Sequence, residues 1–227
     1  MKNPVRGTGN AVVLLSGGLD SAVTLYYAVS RGYKCECLIF DYGQRHKKEV
    51  SAAKKIARSC GAPFCVVKFR MPWKGSALLD RDMAVPKRRH IGGNIPATYV
   101  PSRNTIFLSF GASFAEAIGA SAVFIGANAV DYSGYPDCRP QYFRIFNGLI
   151  RSGTKAGVEK RGIWIKAPLV GMSKADIVRL GIKLGVPFRH TWSCYSGGKR
   201  PCNRCDSCVI RAKGFKEAEA ADPLTTI

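Results

Sequence analysis

The 227 residues carry 35 Lys and Arg against 15 Asp and Glu, a formal charge of +20, and 46% of them are hydrophobic. That length suits one large domain with a substantial core, or one domain with a small appendage, and the charge favours polyanionic ligands such as nucleotides, pyrophosphate or RNA without choosing among them. No apolar run approaches the roughly 20 residues that cross a bilayer, and Met1 to Asn10 is too polar for a signal peptide, so a cytoplasmic location and no membrane partner are expected.

Ala11 to Leu15 is a wholly apolar, β-branched run that stops at a glycine pair, as a buried parallel strand does. A helix follows with Ala22, Leu25, Tyr26 and Val29 at helical spacing; Ser21 is expected to cap it and Gly32 to end it. The next strand covers Lys34 to Phe40, with Asp41-Tyr42-Gly43-Gln44-Arg45-His46 at its carboxyl end. A helix from about Lys47 to Cys60 leads through Gly61-Ala62-Pro63 to a strand at Phe64 to Phe69. Met71 to Pro101 dissolves into Pro, Gly and charge, which predicts a long loop of the kind that serves as a mobile lid. Helical periodicity returns at Asn104 to Ile118, then come a strand at Ala122 to Ile125, a turn-rich loop to Pro140, and a helix around Gln141 to Arg151. Ile163 to Lys166 reads as the last strand, and Ser173-Lys174-Ala175-Asp176 as the cap of a helix ending near Gly185. Strands alternating with helices predict an α/β fold: an open, mostly parallel Rossmann-like sheet with helices on both faces. This domain is assigned to 1–185, with a loop insertion at about 71–101, and a small zinc-binding C-terminal segment to 186–227.

Ser16-Gly17-Gly18-Leu19-Asp20-Ser21 joins the first strand to the first helix, so its amides and the helix N-terminus make an anion site. It is neither G-x-x-x-x-G-K-S/T nor G-x-G-x-x-G. A carboxylate at Asp20 would repel bound phosphates unless a divalent cation lay between them, which assigns it to Mg²⁺. The loop resembles the pyrophosphate-binding loop of the ATP pyrophosphatase superfamily, whose members cleave ATP between the α and β phosphates.

Cys194, Cys202, Cys205 and Cys208 follow the pattern C-x7-C-x2-C-x2-C. Four thiolates so spaced can close a tetrahedral shell around Zn²⁺ with no open position, a structural site; spacing alone also admits an iron–sulfur cluster. Cys35, Cys37, Cys60 and Cys65 lie in or beside apolar segments and read as packing residues. Cys138, in a polar loop with no histidine near it in sequence, is left out of the catalytic set.

Ser16 to Ser21, Asp41 to His46, Tyr99-Val100-Pro101-Ser102-Arg103-Asn104, Asp131 to Pro140 and the four cysteines together resemble the 7-cyano-7-deazaguanine synthase family, in the same order from Ala11 to about Phe215. The resemblance implies an adenine nucleotide alpha hydrolase-like fold and ATP, Mg²⁺ and Zn²⁺ as cofactors. It implies that 7-carboxy-7-deazaguanine and ammonia become the nitrile 7-cyano-7-deazaguanine (preQ0) through adenylated carboxylate and amide, with AMP and diphosphate released, for queuosine or archaeosine. It carries ATP binding to Leu15, Ser16, Gly17, Gly18, Leu19, Asp20, Ser21, Ala22, Val23, Thr24 and Leu25, and zinc to the four cysteines. A homodimer without direct tRNA binding is expected. Catalysis is assigned to Asp20 and Ser16, with Arg45 and His46 at a strand's carboxyl end, where open α/β sheets bind ligands. Tyr132, Tyr135, Asp137 and Arg139 offer stacking faces, an acceptor for guanine-like N–H groups and a carboxylate partner, so they are nominated for the deazapurine. Arg103 and Asn104 either join them or cap the next helix, and Lys174, His90 and His190 read as solvated or structural.

Overall fold

The computed structural model describes residues 9–86, 95–128 and 134–225. Five strands, β1 (Gly9–Leu14), β2 (Tyr33–Asp41), β3 (Phe64–Lys68), β4 (Ala122–Ile125) and β5 (Trp164–Lys166), form one sheet in the order β3-β2-β1-β4-β5. Every pairing is parallel, and Val13 at the centre registers with Cys37 on one side and Phe124 on the other. Side chains alternate along β1, so Ala11 and Val13 enter one apolar layer and Val12 and Leu14 the other.

Helices cover both faces, as a wholly parallel sheet requires. Helices α1 (Leu19–Ser30) and α2 (Lys48–Ser59) contribute Leu25 and Ile56 to the first layer; α3 (Arg103–Ala117), α4 (Pro140–Gly153) and the short α5 (Lys155–Val158) contribute Leu108, Phe143 and Ala156 to the second. Helices α6 (Lys174–Lys183) and α7 (Asp206–Glu217) join the first layer through Ile177 and Phe215, so the 206–217 stretch packs into the same core as α1. No helix among the described residues is long and apolar enough to cross a membrane.

Three local expectations change. Ser21 does not cap α1: Gly18 holds that position, and Ser21 in the first turn donates to the Gly18 carbonyl at 3.1 Å. The long loop has neither helix nor strand over 71–86 and 95–101, yet Ser76 and Ala77 have no exposed surface and the Ala77 amide donates to Ala97 at 2.8 Å, so this part is packed in place. Helix α7 stands where no element was foreseen. The Ser173 cap does form, its hydroxyl accepting from the Asp176 amide at 3.1 Å.

The chain leaves β1 toward β2 and β3 in one direction and returns to β4 and β5 in the other. The crevice above the β1–β4 carboxyl ends is therefore the topological switch point, the usual ligand seat of such sheets.

Candidate active site

A cavity of about 280 Å³ opens at this point. The turn after β1 forms one wall. Gly17 has φ +85°, and a Cβ there would lie 2.2 Å from the Glu49 carbonyl oxygen and 2.7 Å from the Ala53 amide, so only glycine lets the turn lie against α2. A Cβ on Gly126, after β4, would likewise come within 2.8 Å of the Ser21 amide, so the β4 exit presses on the first turn of α1. Inside the turn, Ser16 donates to the Ser21 hydroxyl at 3.0 Å. The first α1 bond runs from the Ala22 amide to the Gly18 carbonyl, so the amides ahead of it have no acceptor within the helix and form a positive rim.

Asp20 stands on this rim with its partner already in place. Both of its carboxylate oxygens accept from Lys174 Nζ at 2.7 Å, with side chains 25% and 13% exposed respectively. Lys174, read from sequence as solvated or structural, thus lines the cavity from the first turn of α6. Nothing local announces this, because the pair joins elements that meet only when α6 packs on α1.

Behind β2, Gln44 locks the exit of the strand: its Oε1 accepts from the Tyr42 amide at 2.8 Å and its Nε2 donates to the Phe40 carbonyl at 3.2 Å. Arg45 lines the cavity, while its guanidinium donates to the Ala77 and Met83 carbonyls at 3.1 and 2.9 Å, fastening the long loop. His46 lies off the cavity wall, its ring edge-on to Trp192 at 6.5 Å and packed where a Cβ on Gly197 would strike it. Burial lowers its pKa, and its buried Nδ1 has no hydrogen-bond partner among the described residues.

The expected substrate residues divide. Tyr135 lines the cavity, its hydroxyl 2.7 Å from Thr98 Oγ1. Asp137 serves α3: its Oδ2 accepts from the Asn104 amide and its carbonyl from Asn104 Nδ2, each at 3.2 Å. Burial raises its pKa, with the Asn104 amide and Arg103 opposing. Arg139 is exposed at the start of α4, away from the cavity, and Tyr132 lies outside the described residues. Of the two residues left between cap and site, both line the cavity: Asn104 also fastens α3 to 137–138, donating to Cys138 Sγ at 3.4 Å, and Arg103 donates to the Tyr42 hydroxyl at 3.5 Å. Glu49, unnoticed in the sequence, also lines it. Burial pushes its carboxyl up to about 7, and the Arg103 guanidinium pulls the other way. Cys138 lines the cavity as a thiol pushed up to about 12, chiefly by burial.

The four cysteines come together with their sulfurs within 4.8 Å of one another, Cys202 and Cys208 at 4.0 Å. Four sulfurs about 2.3 Å from a tetrahedral ion would stand close to this separation. The Cys202 and Cys205 amides donate to Cys194 and Cys202 sulfurs, each at 3.3 Å, which favours thiolates. The sulfurs compete for protons: hydrogen bonds from Cys205 and Cys208 draw the Cys194 thiol down, while the Cys208 thiol is pushed up. A soft dication resolves that competition, so the donor set fits zinc.

This quartet reaches the cavity through Trp192. The Trp192 amide donates to the Gly17 carbonyl at 2.9 Å and its indole to the Cys194 carbonyl at 2.9 Å, while Lys48 Nζ lies 4.3 Å from the ring centroid. Lys48 also donates to the Gly198 and Lys199 carbonyls. Arg211 of α7, also on the wall, is held by Asp222 through Nε at 2.7 Å and Nη2 at 2.9 Å.

The family profile described as "Queuosine biosynthesis protein QueC" matches residues 10–219. The 7-cyano-7-deazaguanine synthase of Thermoplasma acidophilum is 51% identical over 216 residues, covering 94% of this chain and 90% of the relative. The protein of the same name from Trichodesmium erythraeum is 51% identical over 219 residues, covering 94% of this chain and 99% of the relative. Among solved structures, "predicted subunit of tRNA methyltransferase" from Methanocaldococcus jannaschii superposes with a TM-score of 0.51 at 15% identity, over 95% of this chain and 90% of that one, a likeness of fold alone.

Proposed function

The chain belongs to the QueC family of queuosine biosynthesis proteins, and on that premise we propose that it is an ATP-driven 7-cyano-7-deazaguanine synthase. A carboxylate is a poor electrophile because its oxygen leaves badly. Transfer of AMP from ATP to the carboxylate of 7-carboxy-7-deazaguanine, with loss of diphosphate, supplies a good leaving group; ammonia then displaces AMP and gives the amide. A second ATP adenylates the amide oxygen, and departure of AMP leaves the nitrile.

The observation that carries this reading is the anion-holding turn Ser16 to Ser21 at the mouth of the cavity, with the Asp20–Lys174 pair on its rim. The amides at the start of α1 and the hydroxyls of Ser16 and Ser21 suit departing diphosphate, whose charge the helix N-terminus favours. Asp20 would hold the magnesium that accompanies ATP, and Lys174 would offset charge as diphosphate leaves. Tyr135 and Arg103, which line the cavity, would meet a flat, polar base, and Trp192 and Arg211 line the same cavity. Zinc held by Cys194, Cys202, Cys205 and Cys208 would act as a structural tie, since four protein ligands leave no position for water. Catalysis would then rest on positioning and electrostatic stabilisation.

The test is to supply ATP, Mg²⁺, ammonium and 7-carboxy-7-deazaguanine and identify the products by mass spectrometry. The nitrile with AMP and diphosphate is expected; ADP with phosphate, or no nitrile, overturns the reading.

A further inference from the structure

We propose that Glu49 is the general base of this site, accepting the protons that ammonia and the amide nitrogen lose on the way to the nitrile; this rests on the synthase reading above. The proton inventory of that reaction creates the need. Ammonium must lose a proton before its lone pair can attack. When the C–N bond forms and the C–O bond to AMP breaks, the nitrogen sheds another. The amide then loses both of its N–H protons as the second AMP leaves. Ammonium can give up its proton in bulk water, but the protons lost by the bound nitrogen need an acceptor at the reacting carbon and pass from there to solvent.

Among the described residues, the carboxylates lining the cavity are those of Asp20 and Glu49. Asp20 has both oxygens held by Lys174 at 2.7 Å, on the rim of the anion turn. Glu49 stands in the first turn of α2, directly behind that turn, where its own carbonyl bears on Gly17. Its side chain reaches the cavity on the β2 side, beside Tyr42 and Arg103. The other ionised groups of the wall are engaged: Arg45 by the Ala77 and Met83 carbonyls, Arg211 by Asp222, and Arg103 by the Tyr42 hydroxyl. The Tyr42 hydroxyl and the Cys138 thiol are both raised by burial, the thiol to about 12, so neither is an ionised acceptor near neutrality. Burial brings the Glu49 carboxyl to about 7 against the pull of Arg103, which matches a base that must take and release protons repeatedly near pH 7.

The reaction can be split to test this. Exchange of labelled pyrophosphate into ATP, dependent on 7-carboxy-7-deazaguanine and run without ammonium, reports adenylation alone. Nitrile formation reports the whole sequence. Glu49→Gln should retain exchange while nitrile and amide formation fall by about 10²–10⁴-fold, and the rise in wild-type rate near pH 7 should disappear. Glu49→Asp, which retracts the carboxylate by one methylene, should recover part of nitrile formation together with that pH limb. Metal content and melting temperature identify any variant that fails to fold, in which case the aspartate variant carries the comparison. Exchange and nitrile formation falling together, or neither falling in Glu49→Gln, overturns the assignment. A wild-type protein without exchange refutes the synthase reading, and this assignment with it.

Discussion

Asp222→Asn isolates the ionic clamp that fixes α7 against the cavity. Arg211 and Asp222 side chains are each 6% exposed and joined by two hydrogen bonds of 2.7 and 2.9 Å. Arg211 Nη1 continues to Thr191 Oγ1 at 2.7 Å and Ser193 Oγ at 3.3 Å, and the Leu224 amide donates to Asp222 Oδ1 at 3.0 Å. Asparagine removes the negative charge and turns a donor toward the guanidinium, leaving a buried cation uncompensated. Breaking such a pair from one side costs about 3–5 kcal/mol, a large share of the roughly 5–15 kcal/mol that holds a domain folded. At about 2–4 °C per kcal/mol for a chain of this size, the melting temperature should drop by roughly 6–20 °C. Urea unfolding and thermal melts of the metal-loaded protein measure it. Arg211→Met combined with Asp222→Leu removes both charges and should lose less than Asp222→Asn alone. A loss below about 1 kcal/mol in the single variant, or a double variant worse than it, would refute the reasoning.

Cys205→Ser should release the metal, read by elemental analysis, and also weaken ATP binding, because the segment that carries Cys194 is tied through Trp192 to Gly17; metal-free protein with unchanged ATP affinity would contradict that coupling. Gly17→Ala forces a left-handed residue, costing about 1–3 kcal/mol, and drives a Cβ into the backbone of α2, so the urea midpoint should fall and ATP binding by calorimetry should be lost. Glu49 sets a pH dependence of stability. Between its ordinary 4.5 and the folded value of about 7, the unfolded chain gives up a proton that the folded chain keeps. Stability therefore falls as pH rises through that window, and the full penalty stands above it. Glu49→Gln should be more stable than wild type in urea at about pH 8 and nearly equal to it at about pH 4; equal stability at both would show that the carboxyl is not destabilised by burial.

The sheet was legible because its strands are short apolar runs closed by turn residues: Ala11 to Leu15 stops at a glycine pair and Ala122 to Ile125 at Gly126. Helix α7 was not, because its buried face includes Asp206, Cys208 and Arg211 beside Ile210 and Phe215, which breaks the apolar periodicity. The tight turn between β1 and α1 could be read from Ser16 to Ser21, since its glycines and hydroxyls are local in sequence. Lys174 and Glu49 could not, as each enters the cavity only through packing between distant elements. Arg103 shows the same limit: its place at the start of α3 is visible, but its turn toward Tyr42 depends on the exit of β2. Ser21 has the composition of a cap, yet the helix starts earlier because Gly18 can lie extended directly after the turn.

The hydrogen bond from the Trp192 amide to the Gly17 carbonyl joins the first turn of the sheet to a segment beyond α6. In a chain emerging from the ribosome, the turn at Gly17 is made about 175 residues before its tie at Trp192. Until the cysteine segment has been synthesised and docked, the nascent protein has its central strands but not the far wall of its cavity. A prematurely terminated product would therefore carry the glycine turn without the segment that ties it down, and closure of the four-cysteine cluster would complete the cavity wall.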